Sequence, residues 1–231
     1  MGGGAVVTTM LLSRLHYPVT SLGFGRRAGI WFQGCTLHCR GCISRDTWPA
    51  DRSTGTRVES VLAWLAGLDG VDGVTISGGE PTDQPESLRA LLRGIDQWRR
   101  SRRTGDENTS KEVDVLLYSG RTAGELDCTL PWLKSSVDVL ISGPFDQNLA
   151  SDDPLRGSSN QVVDVCSDLG ARRYPESSLV DRYSDQRRRI GVQVDMDTVW
   201  MVGIPLPGDL ARLRAALAGR GVTLDRTSWL S

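Results

Sequence analysis

Apolar runs alternate with helical patterns along this chain. Residues 28–33 (AGIWFQ) form a short apolar run that reads as a strand. Across 57–68, Val58, Val61, Leu62 and Leu65 recur at helical spacing. Residues 73–77 (GVTIS) form a β-rich run that ends in Gly78-Gly79. A helix follows over 85–100, with Leu88, Leu91, Leu92 and Ile95 on one face. Further strands are expected at 113–118 and 137–141, and a late helix at 209–218, with Leu210, Leu213 and Leu217 in phase. The order strand, helix, strand, helix predicts an α/β fold with a parallel sheet and right-handed crossovers. Short strands that are apolar on both faces fit a sheet buried under helices. Residues 101–112 (SRRTGDENTSKE) are polar without periodicity and predict a surface loop, and 144–190 reads as a loop-rich excursion. No internal repeat or strong linker divides 1–231, so a single domain is expected.

Composition narrows the function classes. The chain has 231 residues, 39% hydrophobic and 24% charged, which is enough to bury a core without staples. A formal net charge of −1 gives no general affinity for nucleic acid. The basic runs at 99–103 and 187–189 are short and read as solvated faces. No apolar run is long enough to span a bilayer, and the N-terminus lacks the pattern of a signal peptide. Neither nucleic acid nor membrane is therefore expected as a partner, and the expected location is cytoplasmic. Five cysteines, with three of them clustered, do not read as a disulfide framework.

Those three are Cys35, Cys39 and Cys42, spaced C-x3-C-x2-C. A loop this short can aim three thiolates at one point. Iron–sulfur clusters normally take four such ligands, so three leave one iron open. A structural zinc ion is the competing reading, but it needs a fourth ligand, and neither His16 nor the distant Cys128 or Cys166 arrives as part of a second short pair. The second motif is Ser77-Gly78-Gly79-Glu80-Pro81. Its glycines remove side chains so that backbone can approach a ligand closely, Glu80 offers a negative charge to an ammonium group, and Pro81 stiffens the exit. An ordinary strand-to-helix turn is the bland alternative. In α/β folds, ligands bind at the carboxyl ends of strands. The cysteine loop, the Gly78-Gly79 turn and Ser119-Gly120 all follow expected strands, which predicts one shared site. Trp31 and Phe32 read as core, and Cys128 and Cys166 as free thiols. Arg156 either binds an anion or ties down its own loop.

The pairing of C-x3-C-x2-C with a strand ending in GGEP resembles the radical S-adenosylmethionine superfamily. The resemblance implies a partial (β/α) barrel. It implies a 4Fe–4S cluster on Cys35, Cys39 and Cys42, and S-adenosylmethionine on the open iron, bound by Gly78, Gly79, Glu80, Pro81, Ser119 and Gly120. The segments Ile30–Cys35, Cys39–Cys42, Asp46-Thr47-Trp48, Leu117–Gly120, Asp138–Phe145 and Arg156–Gln161 are similar to the activating enzymes of anaerobic ribonucleotide reductase. The chain departs from that pattern at Ile43-Ser44, Arg121 and Ser142.

The resemblance implies an oxidoreductase that cleaves S-adenosylmethionine to a 5′-deoxyadenosyl radical and takes hydrogen from a glycine of a partner glycyl-radical enzyme. Arg156, Ser158, Ser159 and Asn160 are candidate substrate or partner contacts. A flavodoxin or ferredoxin is the expected electron donor. Two alternatives stay open: a free-standing radical enzyme acting on a metabolite or peptide, and a non-catalytic iron–sulfur or zinc protein.

Overall fold

A computed structural model describes residues 7–103, 112–175, 190–195, 198–224 and 227–228. Its main sheet has seven strands in the order β3-β1-β2-β4-β5-β6-β7. These are β1 (Thr9–Val19), β2 (Arg27–Phe32), β3 (Gly55–Arg57), β4 (Gly73–Gly78), β5 (Asp114–Ser119), β6 (Val139–Ser142) and β7 (Val162–Val165). The helices are α1 (Val58–Ala66), α2 (Pro85–Arg103), α3 (Ala123–Thr129), α4 (Asp168–Arg173) and α5 (Asp209–Ala218). A separate two-stranded hairpin joins β8 (Gly191–Asp195) to β9 (Thr198–Val202).

The four central strands β2, β4, β5 and β6 run parallel, as the alternation of patterns predicts. The sheet departs from the expectation at its margins. β1 lies antiparallel to both β2 and β3, and β7 lies antiparallel to β6. Two other expectations need correction. Residues 101–103 of the expected polar loop form the last turn of α2, and 104–111 lie outside the described residues. The excursion at 144–190 contains β7 and α4, while 176–189, with the basic run at 187–189, lie outside the described residues.

Strand alternation gives the sheet two chemically different faces. One face carries Ala28, Ile30 and Phe32 of β2, Val74 and Ile76 of β4, and Val115 and Leu117 of β5. Val58, Val61 and Leu65 of α1 cover it, together with Leu88, Leu91, Leu92 and Ile95 of α2. Each such leucine contributes roughly 2 kcal/mol by leaving water. The opposite face carries Arg27, Gly29 and Trp31 of β2 and Asp114, Leu116 and Tyr118 of β5, and the functional cavity opens on this side.

A buried polar layer closes the amino-terminal end of that second face. Arg27 is 0% exposed, as is Asp114. The Arg27 guanidinium donates twice to Asp114, at 3.0 and 2.8 Å, and also to Thr75 Oγ1 at 2.6 Å and Val74 O at 2.8 Å. Tyr174 OH donates to Asp114 Oδ2 at 3.1 Å, and Arg173 donates to Oδ1. Burial works to raise the Asp114 pKa, but the Arg27 and Arg173 guanidiniums overcome it and hold the carboxyl below its ordinary value. A depressed carboxyl pKa adds stability that is present above the unfolded value, about 4, and is lost as pH falls through the folded value. Asp114→Asn leaves Arg27 buried without its counter-charge and should cost about 3 kcal/mol. Thermal melts from pH 2 to 7 check this. The wild type should lose stability below about pH 4, and the variant should lose less over the same range.

Candidate functional site

The cysteine loop leaves β2 and returns to its own base. Gly34 N–H donates to Thr47 O at 2.7 Å, and Cys35 N–H donates to Trp48 O at 3.0 Å. The Gln33 side-chain amide adds bonds to Asp46 O and Pro49 O at 3.0 and 2.8 Å. Within the loop, Cys42 N–H donates to Cys39 O at 3.1 Å, and His38 takes a left-handed φ of 47°. Backbone bonds and the Gln33 side chain therefore shape the loop together. Cys35, Cys39 and Cys42 all line one cavity of about 230 Å³.

Two further loops border the same cavity. Ser77, Gly78, Gly79 and Glu80 reach it from the end of β4, and Tyr118, Ser119 and Gly120 from the end of β5. The structure gives the paired glycines a reason the sequence did not suggest. A Cβ on Gly78, whose φ is 115°, would stand 2.3 Å from Phe32 N, and one on Gly79 would stand 2.2 Å from Gly34 O. The missing side chains make room for the neighbouring strand end, so that Gly79 N–H donates to Phe32 O and Glu80 N–H to Gly34 O, both at 2.8 Å. The cysteine loop and the glycine turn thus touch backbone to backbone.

Glu80 is 1% exposed. Its Oε1 accepts from Thr82 N, Thr82 Oγ1 and Ser119 Oγ at 3.0, 2.6 and 2.9 Å, and its Oε2 accepts from Gly120 N at 2.7 Å. Burial pushes its pKa up while these donors pull it down. The carboxylate pins the β5 loop to the glycine turn, so an ammonium contact has to share oxygens that already accept hydrogen bonds. Pro81 opens a 3-10 turn at Pro81–Asp83 and does not line the cavity.

Asp83, on that turn, ties three loops together. Its Oδ2 accepts from Thr36 N at 2.9 Å and its Oδ1 from Arg121 Nη2, which also donates to Thr36 Oγ1 at 3.2 Å. The pair is partly exposed, so it is worth at most about 1 kcal/mol. Its larger effect should fall on the cysteine loop. Arg121→Gln should hardly change the melting curve of the metal-free protein, yet make Cys35 react several-fold faster with an aromatic disulfide reagent. Unchanged thiol kinetics would reject the latch.

Apolar walls complete the cavity. Trp31, Tyr118, Phe145, Met201, Val202, Ile204 and Pro205 line it, as do Gly143, Gly157 and Gln161. Trp31 was expected in the core, and only Phe32 is fully buried there. Alternation along β2 carries the signal, since Phe32 faces the helices and Trp31 therefore faces the cavity. β9 supplies the remaining wall through Met201 and Val202, and its Trp200 meets His16 at 4.7 Å and Trp31 at 5.2 Å, both edge-on.

The other candidates make bonds within their own loop. Arg156 donates to Ser159 O at 3.4 Å and Gln161 O at 3.0 Å and pairs with Asp153. Ser158 Oγ accepts from Asp146 N at 3.1 Å, and Asn160 Nδ2 donates to Pro144 O at 2.8 Å. Neither Arg156 nor 158–160 lines the cavity.

The thiols fit a cluster by their chemistry and placement. Burial pushes the Cys35 and Cys42 thiols up, so a group that holds them as thiolates has to bring positive charge. Ser44 N–H donates to Cys42 Sγ at 3.4 Å, and Trp48 lines the cavity beside it. Among the described residues, no three His, Cys, Asp or Glu side chains are grouped to hold one metal ion. A single zinc ion demands such convergence, whereas each cysteine of a 4Fe–4S cluster takes a separate iron. Cys128 is exposed, and Cys166, pushed up to about 11 chiefly by burial, packs against the helical core away from the cavity. Among the described residues, no helix is long and apolar enough to cross a membrane.

Comparison with known proteins points the same way. The profile of a family described as a 4Fe-4S single cluster domain matches residues 21–164. The anaerobic ribonucleoside-triphosphate reductase-activating protein of Vibrio cholerae is 33% identical over 158 residues, covering 64% of this chain and 94% of that protein. The protein of the same description from Haemophilus influenzae is 29% identical over 156 residues, again covering 64% and 94%. A pyruvate formate-lyase-activating enzyme of Clostridium pasteurianum is 34% identical over 93 residues, 36% of this chain and 39% of that enzyme.

Proposed function

This chain belongs to the glycyl-radical activating enzymes of the radical S-adenosylmethionine superfamily, a 4Fe-4S family, and from that membership we propose that it activates a glycyl-radical partner by abstracting hydrogen from a glycine Cα. One observation carries the reading. Cys35, Cys39 and Cys42 border the same cavity as Gly78, Gly79, Glu80, Ser119 and Gly120.

In this reading the three cysteines hold three irons of the cluster. A cluster held there would supply the single electron for reductive cleavage of S-adenosylmethionine. The Gly78-Gly79 turn offers backbone groups to the methionine end. Glu80 orients that turn through Ser119 and Gly120 and gives the region negative charge. Trp31, Tyr118, Phe145 and Ile204 exclude water from the reacting centre. Gly143, Gly157 and Gln161 set the rim at which a partner's glycine loop enters. We read the whole of 1–231 as a single domain in which the sheet curls into a partial (β/α) barrel, an arrangement supported by the four parallel strands and the cavity at their carboxyl ends. The physiological reductant in this reading is a flavodoxin or ferredoxin. The reduced thiols fit a cytoplasmic location.

The test is anaerobic reconstitution followed by dithionite and S-adenosylmethionine. Methionine and 5′-deoxyadenosine should form slowly alone and faster with the anaerobic ribonucleotide reductase of the same genome. A glycine-centred radical should then appear on that partner by electron paramagnetic resonance. Turnover that depends on a small molecule, with no radical on any partner protein, would support the metabolite or peptide alternative instead.

A further inference from the structure

The spacer between the first two cysteines, Thr36-Leu37-His38, is fastened residue by residue to different parts of the chain. Thr36 N–H donates to Asp83 Oδ2 at 2.9 Å. The His38 ring stacks on Trp48 at 4.6 Å, with 25° between the planes. Between these anchors, the Leu37 side chain meets Gly120, just past the end of β5. A Cβ on Gly120 would stand 2.5 Å from Leu37 Cδ1 and 3.9 Å from Leu37 Cγ. Its other near atom is Glu80 Oε2, at an ordinary contact distance of 3.5 Å.

Gly120 is therefore bare for the sake of Leu37. Unlike Gly78 and Gly143, it does not have a left-handed φ, so its backbone does not require glycine. What a side chain there would strike is the end of Leu37. Leu37 in turn serves no hydrophobic core. It belongs to none of the three clusters of buried apolar residues among the described residues, stays partly exposed and lines the cavity. Gly120 N–H donates to Glu80 Oε2 at 2.7 Å. The contact thus joins the Cys35–Cys39 arc to the carboxylate that fixes the glycine turn.

We infer that Leu37 is a positioning residue: seated on Gly120, it holds the Cys35–Cys39 arc at the separation from the Gly78–Glu80 turn that S-adenosylmethionine needs to engage both. The inference rests on the activating-enzyme reading and adds to it a residue of the cysteine spacer that acts through Gly120. The contact is a matter of size. One carbon more on Gly120 pushes Leu37 away, and one carbon fewer on Leu37 leaves the arc free to sink. Moving a carbon from one side to the other conserves volume, and volume-conserving exchanges are tolerated best.

The experiment reconstitutes the wild type, Leu37→Val, Gly120→Ala and the double variant anaerobically, and measures S-adenosylmethionine binding by equilibrium dialysis. Gly120→Ala should weaken binding about tenfold and Leu37→Val about threefold, and the double variant should return to within about twofold of the wild type, because residues in contact do not act additively. S-adenosylmethionine should alter the electron paramagnetic resonance spectrum of the reduced cluster fully in the wild type and the double variant, and only in part in Gly120→Ala at the same concentration. Iron content, and the thermal melts of the metal-free chains, should agree in all four. Wild-type affinity in both single variants would overturn the inference, as would a double variant that binds no better than Gly120→Ala. Weaker binding that comes with lost iron or a lower melting temperature would also overturn it, by showing that the contact only stabilises the loop. A wild type that carries the cluster and binds no S-adenosylmethionine would overturn the functional reading and this inference with it, whereas failure in the variants alone leaves that reading in place.

Discussion

Cys39→Ala should leave the chain without its cluster, and the same loss is expected for Cys35→Ala and Cys42→Ala. All three thiols border one cavity, and the two remaining cysteines lie elsewhere, Cys128 on the surface and Cys166 against the helical core. Among the described residues, no further cysteine lines the cavity to stand in for a lost thiol. The fold should persist, because the loop is closed at its base by the Gly34–Thr47 and Cys35–Trp48 backbone bonds and not by metal. The metal-free variant should therefore match the metal-free wild type within about 0.5 kcal/mol in a thermal melt. Iron analysis and the visible spectrum after anaerobic reconstitution decide the matter. Loss of the cluster in Cys128→Ala or Cys166→Ala, with retention in a triad variant, would overturn the assignment.

Gly79→Val is expected to abolish cluster uptake and S-adenosylmethionine cleavage together. Its first added carbon would stand 2.2 Å from Gly34 O, 2.7 Å from Gly34 C and 2.9 Å from Thr47 O. These are backbone atoms at the base of the cysteine loop and cannot swing aside as a side chain can. The loop must move, and the Glu80–Gly34 and Gly34–Thr47 hydrogen bonds go with it. Overpacking of this kind costs about 1 to 3 kcal/mol. Iron content, melting temperature and 5′-deoxyadenosine yield should all fall. A variant that takes up iron normally and only weakens S-adenosylmethionine binding would show instead that Gly79 is bare for the ligand's sake.

The difference between those outcomes marks where reading the sequence stopped. The four parallel strands, α1, α2 and α5 were legible because each carries an unbroken apolar period. β1 was not, since Thr9–Val19 interleaves an arginine, a histidine and a proline with its apolar residues and leaves most of them only half-buried. β7 was hidden in a polar stretch because an edge strand needs few buried residues, and its pattern is mostly exposed or intermediate. In the site, the cysteines and the glycine turn were visible as spacings. Which atoms the glycines spare was not visible, because that depends on Gly34 lying alongside after β2 and β4 pair. The inward turn of Glu80 depends likewise on Ser119 and Gly120 arriving beside it from a strand some forty residues away. Met201 to Pro205 join the cavity through the docking of Trp200 on Trp31 and His16 and of Val202 on Val19 and Leu22, contacts no local pattern announces.

The Arg27–Asp114–Tyr174 layer has a consequence for traffic. It seals the amino-terminal end of the sheet face on which Trp31 and Tyr118 border the cavity, so among the described residues entry and exit share the carboxyl-end opening. Small molecules bound first lie deepest, and a partner's loop that follows them stands in their way out. Methionine and 5′-deoxyadenosine should then leave only after the activated protein withdraws. Turnover in steady state would be paced by that separation, and a single rapid round of product formation should precede it.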